Sequence, residues 1–194
     1  MSYSDQRLFA QTRVGADKSD GVGRYVAHSP LKRVFDIGVA LAILLAVWPV
    51  MLASAVMLYL SDGKQVLKRE PIIGQDGVEF ELFSFDTEHR GKLGAWCRAS
   101  GIASLPQLAA VLSGKMSLVG PRPLSLEDFS SFERIIGLYM KARPGMTGPW
   151  RVAQDRTLGA IAQARLDRAY IKSGNLTTDI GILIRTPLAL MRLI

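Results

Sequence analysis

In residues 32–60, KRVFDIGVALAILLAVWPVMLASAVMLYL, a basic pair and an aspartate lead into a run without a single charged side chain, Ile37 to Leu60. At 1.5 Å per helical residue, such a run can cross a hydrocarbon layer of roughly 30 Å. Pro49 lies near its middle, where the ring removes a helical hydrogen bond and crowds the preceding turn, so a break is expected there. Basic residues stand on both sides: Lys32 and Arg33 before, Lys64, Lys68 and Arg69 after. Basic flanks tend to stay in the cytoplasm, which puts both ends of the run on one side. A helix that enters, breaks at Pro49 and returns satisfies both signals. A kinked single crossing is the alternative, and a buried core helix of a soluble protein is a third. Asp36 at the mouth of the run needs a partner at that depth. Lys32 and Arg33, four and three residues earlier, can supply an interfacial ion pair that sets the depth of the helix.

The 194 residues leave room for an anchor and one domain. The boundaries read as a mobile polar tail over 1–28, a re-entrant membrane anchor over 29–62 and a cytoplasmic domain over 63–194. The tail carries charges of both signs and lacks the apolar core of a secretory signal. A net charge of +7 suits nucleic acid, an anionic membrane or a phosphorylated substrate, and the anchor favours the last two. Cys97 is the single cysteine, which excludes an internal disulfide framework and suggests a buried, inert thiol. His28 and His89 are the only histidines, and no Cys/His cluster has zinc spacing.

Beyond the anchor, Val66–Arg69 and Phe80–Phe85 flank Gly74-Gln75-Asp76-Gly77 and read as a short β-hairpin. Leu93 to Leu112 reads as a helix with Leu105, Leu108, Ala109 and Leu112 on one face. Residues 126–141, Arg165–Ile171 and Asp179–Ile194 also have helical patterns, the last apolar enough to lie in a membrane interface. The fold class expected is α/β, mostly helical, with a re-entrant helix-break-helix, a short hairpin and interfacial amphipathic helices.

Two loops draw attention. In Gly120-Pro121-Arg122-Pro123 two prolines stiffen the backbone around one guanidinium, a group suited to phosphate oxygens and equally able to tie a turn to a carbonyl. In Arg143-Pro144-Gly145-Met146-Thr147-Gly148, a cation, a hydroxyl and glycine amides could cradle a phosphate or simply form a turn.

Taken in order, these strings resemble the bacterial sugar transferases, the monotopic phosphoglycosyl transferases. The resemblance runs from about Leu31 to the C-terminus. It is carried by Lys32-Arg33 with Asp36, the proline-broken run, Gly74 to Gly77, Leu93-Gly94, Leu105-Pro106-Gln107-Leu108, Met116-Ser117-Leu118-Val119-Gly120-Pro121-Arg122-Pro123 and Arg143 to Gly148. It implies a monotopic protein on the cytoplasmic face of the bacterial inner membrane, working in exopolysaccharide or glycoconjugate synthesis. It implies transfer of a sugar phosphate from a nucleotide-diphosphate sugar (UDP-sugar) to polyprenyl phosphate with Mg²⁺, through an aspartyl intermediate. Arg122, Arg143, Gly145, Thr147 and Gly148 become candidate phosphate ligands, and nucleic acid is not an expected partner.

The same resemblance places an Asp-Glu pair immediately before Leu105-Pro106-Gln107, where this chain has Ala103-Ser104. Alanine offers no nucleophile, and serine needs an activating base. Phe85-Asp86-Thr87-Glu88 and Trp48-Pro49 also depart from the family pattern. The expectation is a catalytically impaired member that regulates or partners an active sugar transferase or other polysaccharide assembly proteins. The metal ligands are unknown, and Mg²⁺ is in question without the acidic pair. One alternative is an active enzyme using Asp86 or Glu88 as displaced carboxylates. Another is a membrane adaptor that binds no nucleotide.

Overall fold

The computed structural model describes residues 23, 25–26, 29–62, 65–125, 136–153 and 160–191. Most of the polar tail over 1–28 and part of the helix expected over 126–141 lie outside these residues. So do Lys64 and the end of the chain beyond residue 191.

Pro30–Asp62 form one helix, α1, and the break expected at Pro49 does not interrupt it: the helix runs on through the proline. Pro30 is well placed at its start, since the first turn has no use for the missing N–H. Few of the residues in its apolar stretch are buried: 11%. A helix at the core of a soluble domain would be mostly buried, so that third alternative fails here. Leu45, Trp48, Leu52, Tyr59 and Leu60 instead present a broad exposed apolar surface. The inward side of α1 follows the domain in both halves. Val39, Ile43, Leu44 and Val47 pack on the main core, whereas Met51, Ala55 and Leu58 pack on a second cluster with Phe85, Cys97 and Ile102.

The expected hairpin is present. β1 (Leu67–Ile73) and β2 (Glu79–Phe85) pair antiparallel from Leu67↔Phe85 to Ile73↔Glu79. The turn between them needs positive φ at Asp76 and Gly77, +58° and +74°. The free edge of β1 takes a short strand further on, β4 (Leu124–Ser125).

The helix expected over Leu93–Leu112 is broken into three pieces. α2 (Gly91–Ala99) ends before Gly101, whose φ is +79°. A 3-10 segment, Ile102–Gln107, contains Pro106 and leads into α3 (Leu108–Leu112). The left-handed glycine and the proline redirect the chain, so the periodicity does not continue in one register. Leu108 is buried, but Ala109 is exposed.

The two candidate loops meet through a small parallel sheet, β3 (Ser117–Val119) with β5 (Gly145–Thr147). The second loop is therefore partly strand. α4 (Ile136–Tyr139) precedes β5, and α5 (Pro149–Val152) follows it. α6 (Ala160–Ser173) and α7 (Leu176–Met191) complete the described chain. On α7, Ile180, Ile184, Leu188 and Met191 form an exposed apolar stripe, while Asp179, Ile182 and Ala189 are buried. This matches the expected amphipathic helix. Cys97 is fully buried, and burial pushes its thiol pKa up.

Backbones approach closely where β5 passes Gly120. A Cβ at Gly145 would sit 2.1 Å from the Gly120 nitrogen. Gly145→Ala should therefore destabilise the protein by about 3 kcal/mol, read as a lowered melting temperature in detergent.

Candidate functional site

Ala103 and Ser104 lie in the 3-10 segment, held by the Ser104 N–H donating to the Gly101 carbonyl at 3.0 Å. Ser104 opens onto a cavity of about 290 Å³ together with Arg98, Gly101, Trp150, Arg151, Gln163 and Leu190. Arg98 donates to the Thr87 carbonyl and hydroxyl, which fixes its guanidinium from the β2 exit. Arg151 stacks on the Trp150 ring, 4.8 Å from its centroid. The buried Trp150 indole N–H has no acceptor among the described residues. Two cations and an unused donor converge on this space, and no carboxylate is among its described lining residues.

Arg122 joins the cavity indirectly: its Nη1 donates to Gln163 Oε1 at 3.2 Å. Its backbone N–H donates to Asp167 Oδ2 at 2.9 Å, as does the Tyr139 hydroxyl at 2.7 Å. Asp167 is fully buried. Burial pushes its carboxyl up to about 6, against the lowering effect of the Arg122 and Tyr139 hydrogen bonds. The sequence reading missed Asp167, although Ala164, Asp167 and Ile171 share a helix face whose other two members are core residues. An acid on such a face was the available signal.

The other predicted residues are distributed elsewhere. Arg143 lines a separate cavity, with Lys32, Arg33, Asp36 and Ser117. The Gly145 N–H donates to the Pro121 carbonyl at 2.9 Å, and Gly148 packs on the Gly120 carbonyl. The Thr147 hydroxyl shares a hydrogen bond with Thr186 at 2.8 Å. Glu88 pairs with Lys68 at 2.6 Å on the surface, and that cation draws its carboxyl pKa down. Asp86 Oδ1 accepts the Glu88 N–H at 3.2 Å. Neither acid is among the described residues lining the Ser104 cavity.

At the head of α1, Lys32 Nζ is 3.8 Å from Asp36, but its shorter contact, 2.6 Å, is with Asp179. Ser117 Oγ donates to Asp36 at 2.6 Å. Arg33 donates to the Val111 and Leu112 carbonyls at 2.7 and 2.8 Å. The expected ion pair with Lys32 is thus shared with a second acid from α7, and Arg33 serves the end of α3.

The sequence model of the family described as bacterial sugar transferase matches residues 27–193. The chain belongs to that family. Among relatives of this sugar-transferase chain, an uncharacterized sugar transferase of Haemophilus influenzae is 34% identical over 80% of this chain and 40% of its own length. An undecaprenyl-phosphate galactose phosphotransferase of Salmonella typhimurium is 29% identical over 84% of this chain and 40% of its own. A UDP-glucose:undecaprenyl-phosphate glucose-1-phosphate transferase of Caulobacter vibrioides is 34% identical over 83% and 70%. The chain therefore spans about two fifths of the length of the first two relatives.

The family resemblance implies Mg²⁺, a hard cation that takes oxygen ligands, usually including carboxylates. The described lining of the Ser104 cavity offers one hydroxyl and one amide oxygen beside two guanidinium groups. That donor set does not fit the metal.

Asp167 gives this region a pH signature. Its folded pKa lies above the ordinary carboxylate value, so the folded state holds the proton more tightly. Stability from this group is complete below about pH 4 and is lost as pH rises through about 6. Asp167→Asn should flatten this part of the stability profile, about 3 kcal/mol in extent, as measured by melting between pH 4 and 7.

Proposed function

We propose that this chain is a membrane-associated sugar-transferase relative that binds nucleotide-diphosphate sugar without ordinary turnover, and regulates or partners an active transferase in exopolysaccharide synthesis. The carrying observation is the Ser104 cavity, where Arg98 and Arg151 supply cations but no described lining residue is acidic. Guanidinium groups and the Trp150 N–H, which has no acceptor among the described residues, suit diphosphate oxygens. A carboxylate nucleophile would be needed to form the phosphosugar intermediate that the resemblance implies, and Ala103-Ser104 supply none. The activities named for relatives, among them the Salmonella undecaprenyl-phosphate galactose phosphotransferase and the Caulobacter UDP-glucose:undecaprenyl-phosphate glucose-1-phosphate transferase, motivate uridine diphosphate sugars and undecaprenyl phosphate as the ligands to try.

The assay incubates membranes bearing the protein with UDP-glucose or UDP-galactose, polyprenyl phosphate and Mg²⁺, and measures uridine monophosphate. No release above the protein-free control is expected. Calorimetry should show saturable binding of the UDP-sugar, weakened about tenfold or more by Arg98→Ala. Turnover abolished by Ser104→Ala would sink this reading. A phosphosugar adduct on Asp86 or Glu88 would favour an active enzyme, and absence of any nucleotide binding would favour an adaptor.

The anchor is proposed to be re-entrant, with both ends at the cytoplasmic face. Support comes from Arg33 tying the start of α1 to the Val111 and Leu112 carbonyls, and from Arg90 donating to the Leu58 and Gln65 carbonyls near its end. One domain thus holds both ends. Ser29→Cys and Ser61→Cys should both react with an impermeant maleimide in inverted vesicles and neither in spheroplasts. Labelling from opposite sides would establish a single crossing.

A further inference from the structure

The last turn of α7 supplies one wall of the Ser104 cavity. Leu190 lines that space, and its Cδ1 would stand 2.7 Å from a Cβ placed on Gly101. A side chain at Gly101 would therefore displace Leu190 from its seat. We infer that this turn is a hinged wall of the cavity, with Pro187 as its hinge, and that a lipid surface beneath α7 holds it closed.

As far as residue 186, α7 is firmly fixed. Asp179 is buried beside Lys32, and Ile182 belongs to the main core. The Thr186 hydroxyl donates to the Ile182 carbonyl at 2.8 Å and meets the Thr147 hydroxyl of β5 at the same distance. Pro187 follows. It has no N–H to offer the Leu183 carbonyl, and its ring crowds the preceding turn. A threonine bonded back to the carbonyl four residues earlier adds to the tendency to bend. The helix nevertheless continues through Met191, with Ala189 buried and Leu190 half-buried at the cavity. A bend at Pro187 would lift this last turn and take Leu190 off Gly101.

The outer face of α7 favours the straight form. Ile180, Ile184, Leu188 and Met191 are exposed and stand at i, i+4, i+8 and i+11. They make one continuous stripe only while the helix is unbent. A flat lipid interface receives such a stripe whole, whereas a bend at Pro187 carries Leu188 and Met191 out of line. The position of α7 favours lipid as the occupant. Asp179 in its first turn is joined to Lys32 in the first turn of α1, just before the uncharged run. At the far end Gly101, under Leu190, adjoins Ile102, which clusters with Met51, Ala55 and Leu58 of α1. Both ends of α7 thus border the apolar helix. On lipid the wall closes, and away from lipid the cavity opens to solvent.

Ser104→Cys places a reporter thiol in the cavity, and native Cys97, fully buried, reports on the fold. The full chain in phosphatidylcholine nanodiscs is treated with a small water-soluble maleimide, and each thiol is followed by peptide mass spectrometry. Leu190→Ala should speed labelling at position 104 roughly fivefold or more. Leu188→Gln combined with Met191→Gln, which alters only the outer face, should do the same. Adding Pro187→Ala to that pair should bring the rate back to within about twofold of the parent, because the restored N–H stiffens the hinge. The parent should react faster in detergent micelles, which offer no flat interface, than in nanodiscs. The inference is overturned if Leu190→Ala or the outer pair labels like the parent in nanodiscs. It is equally overturned if Pro187→Ala restores nothing, or if the parent reacts alike in micelles and nanodiscs. Should Leu190→Ala expose the Cys97 thiol, and so have lost its fold, the outer pair decides, since both of its residues are exposed. The readout is a thiol rate, so it stands whether or not the cavity binds a nucleotide sugar.

Discussion

Lys32 donates to Asp179 at 2.6 Å in a place from which water is almost excluded. Asp179 also accepts the hydroxyls of Tyr25 and Tyr170, at 3.0 and 2.6 Å. A buried charge that loses its partner costs about 3–5 kcal/mol, so these groups must stay assembled once the domain folds. The cluster locks the first turn of an apolar helix to α6 and α7, more than a hundred residues later in the chain. Its neighbour Asp36 adds Ser117 and Leu118, and so includes β3. An uncharged helix surface has little else to set its rotation, because hydrophobic contacts alone are non-directional. The polar cluster supplies that direction.

The same constraint passes to the cavities through β3. Its parallel pairing with β5 brings Gly120, Gly145 and Gly148 into backbone contact, where only hydrogen atoms fit in place of side chains. Arg122 leaves this junction toward Gln163, whereas Arg143 enters it from the side of α1. Two arginines that look alike in sequence thereby serve two separate spaces. One sees Ser104 and a pair of cations through an amide; the other faces Arg33 at the head of the apolar helix.

Much of the frame was legible beforehand. Charge-free length announced α1, and glycine with aspartate announced the β1–β2 turn. The long helix over residues 93–112 was misread because its spacing remained regular across Gly101 and Pro106, although the backbone turns there. The Arg143–Gly148 segment looked like a loop because a three-residue strand is too short to show alternation. Asp167 and Asp179 were overlooked because helical acids are ordinarily solvated. Here each lies on a buried face, and its hydrogen-bond partners come from distant segments.

The sequence by itself determined that an apolar run with basic ends precedes a small α/β domain, since those properties depend on length, charge and local turn chemistry. It also determined the family strings and the absence of an acid at positions 103 and 104. Only the tertiary structure decided that Lys32 belongs chiefly to Asp179, that Arg122 and Arg143 part company, and that Ser104 faces arginines. The reason is physical. Local preferences act over a few residues, but the partner of a buried charge is chosen by which distant segments pack against it.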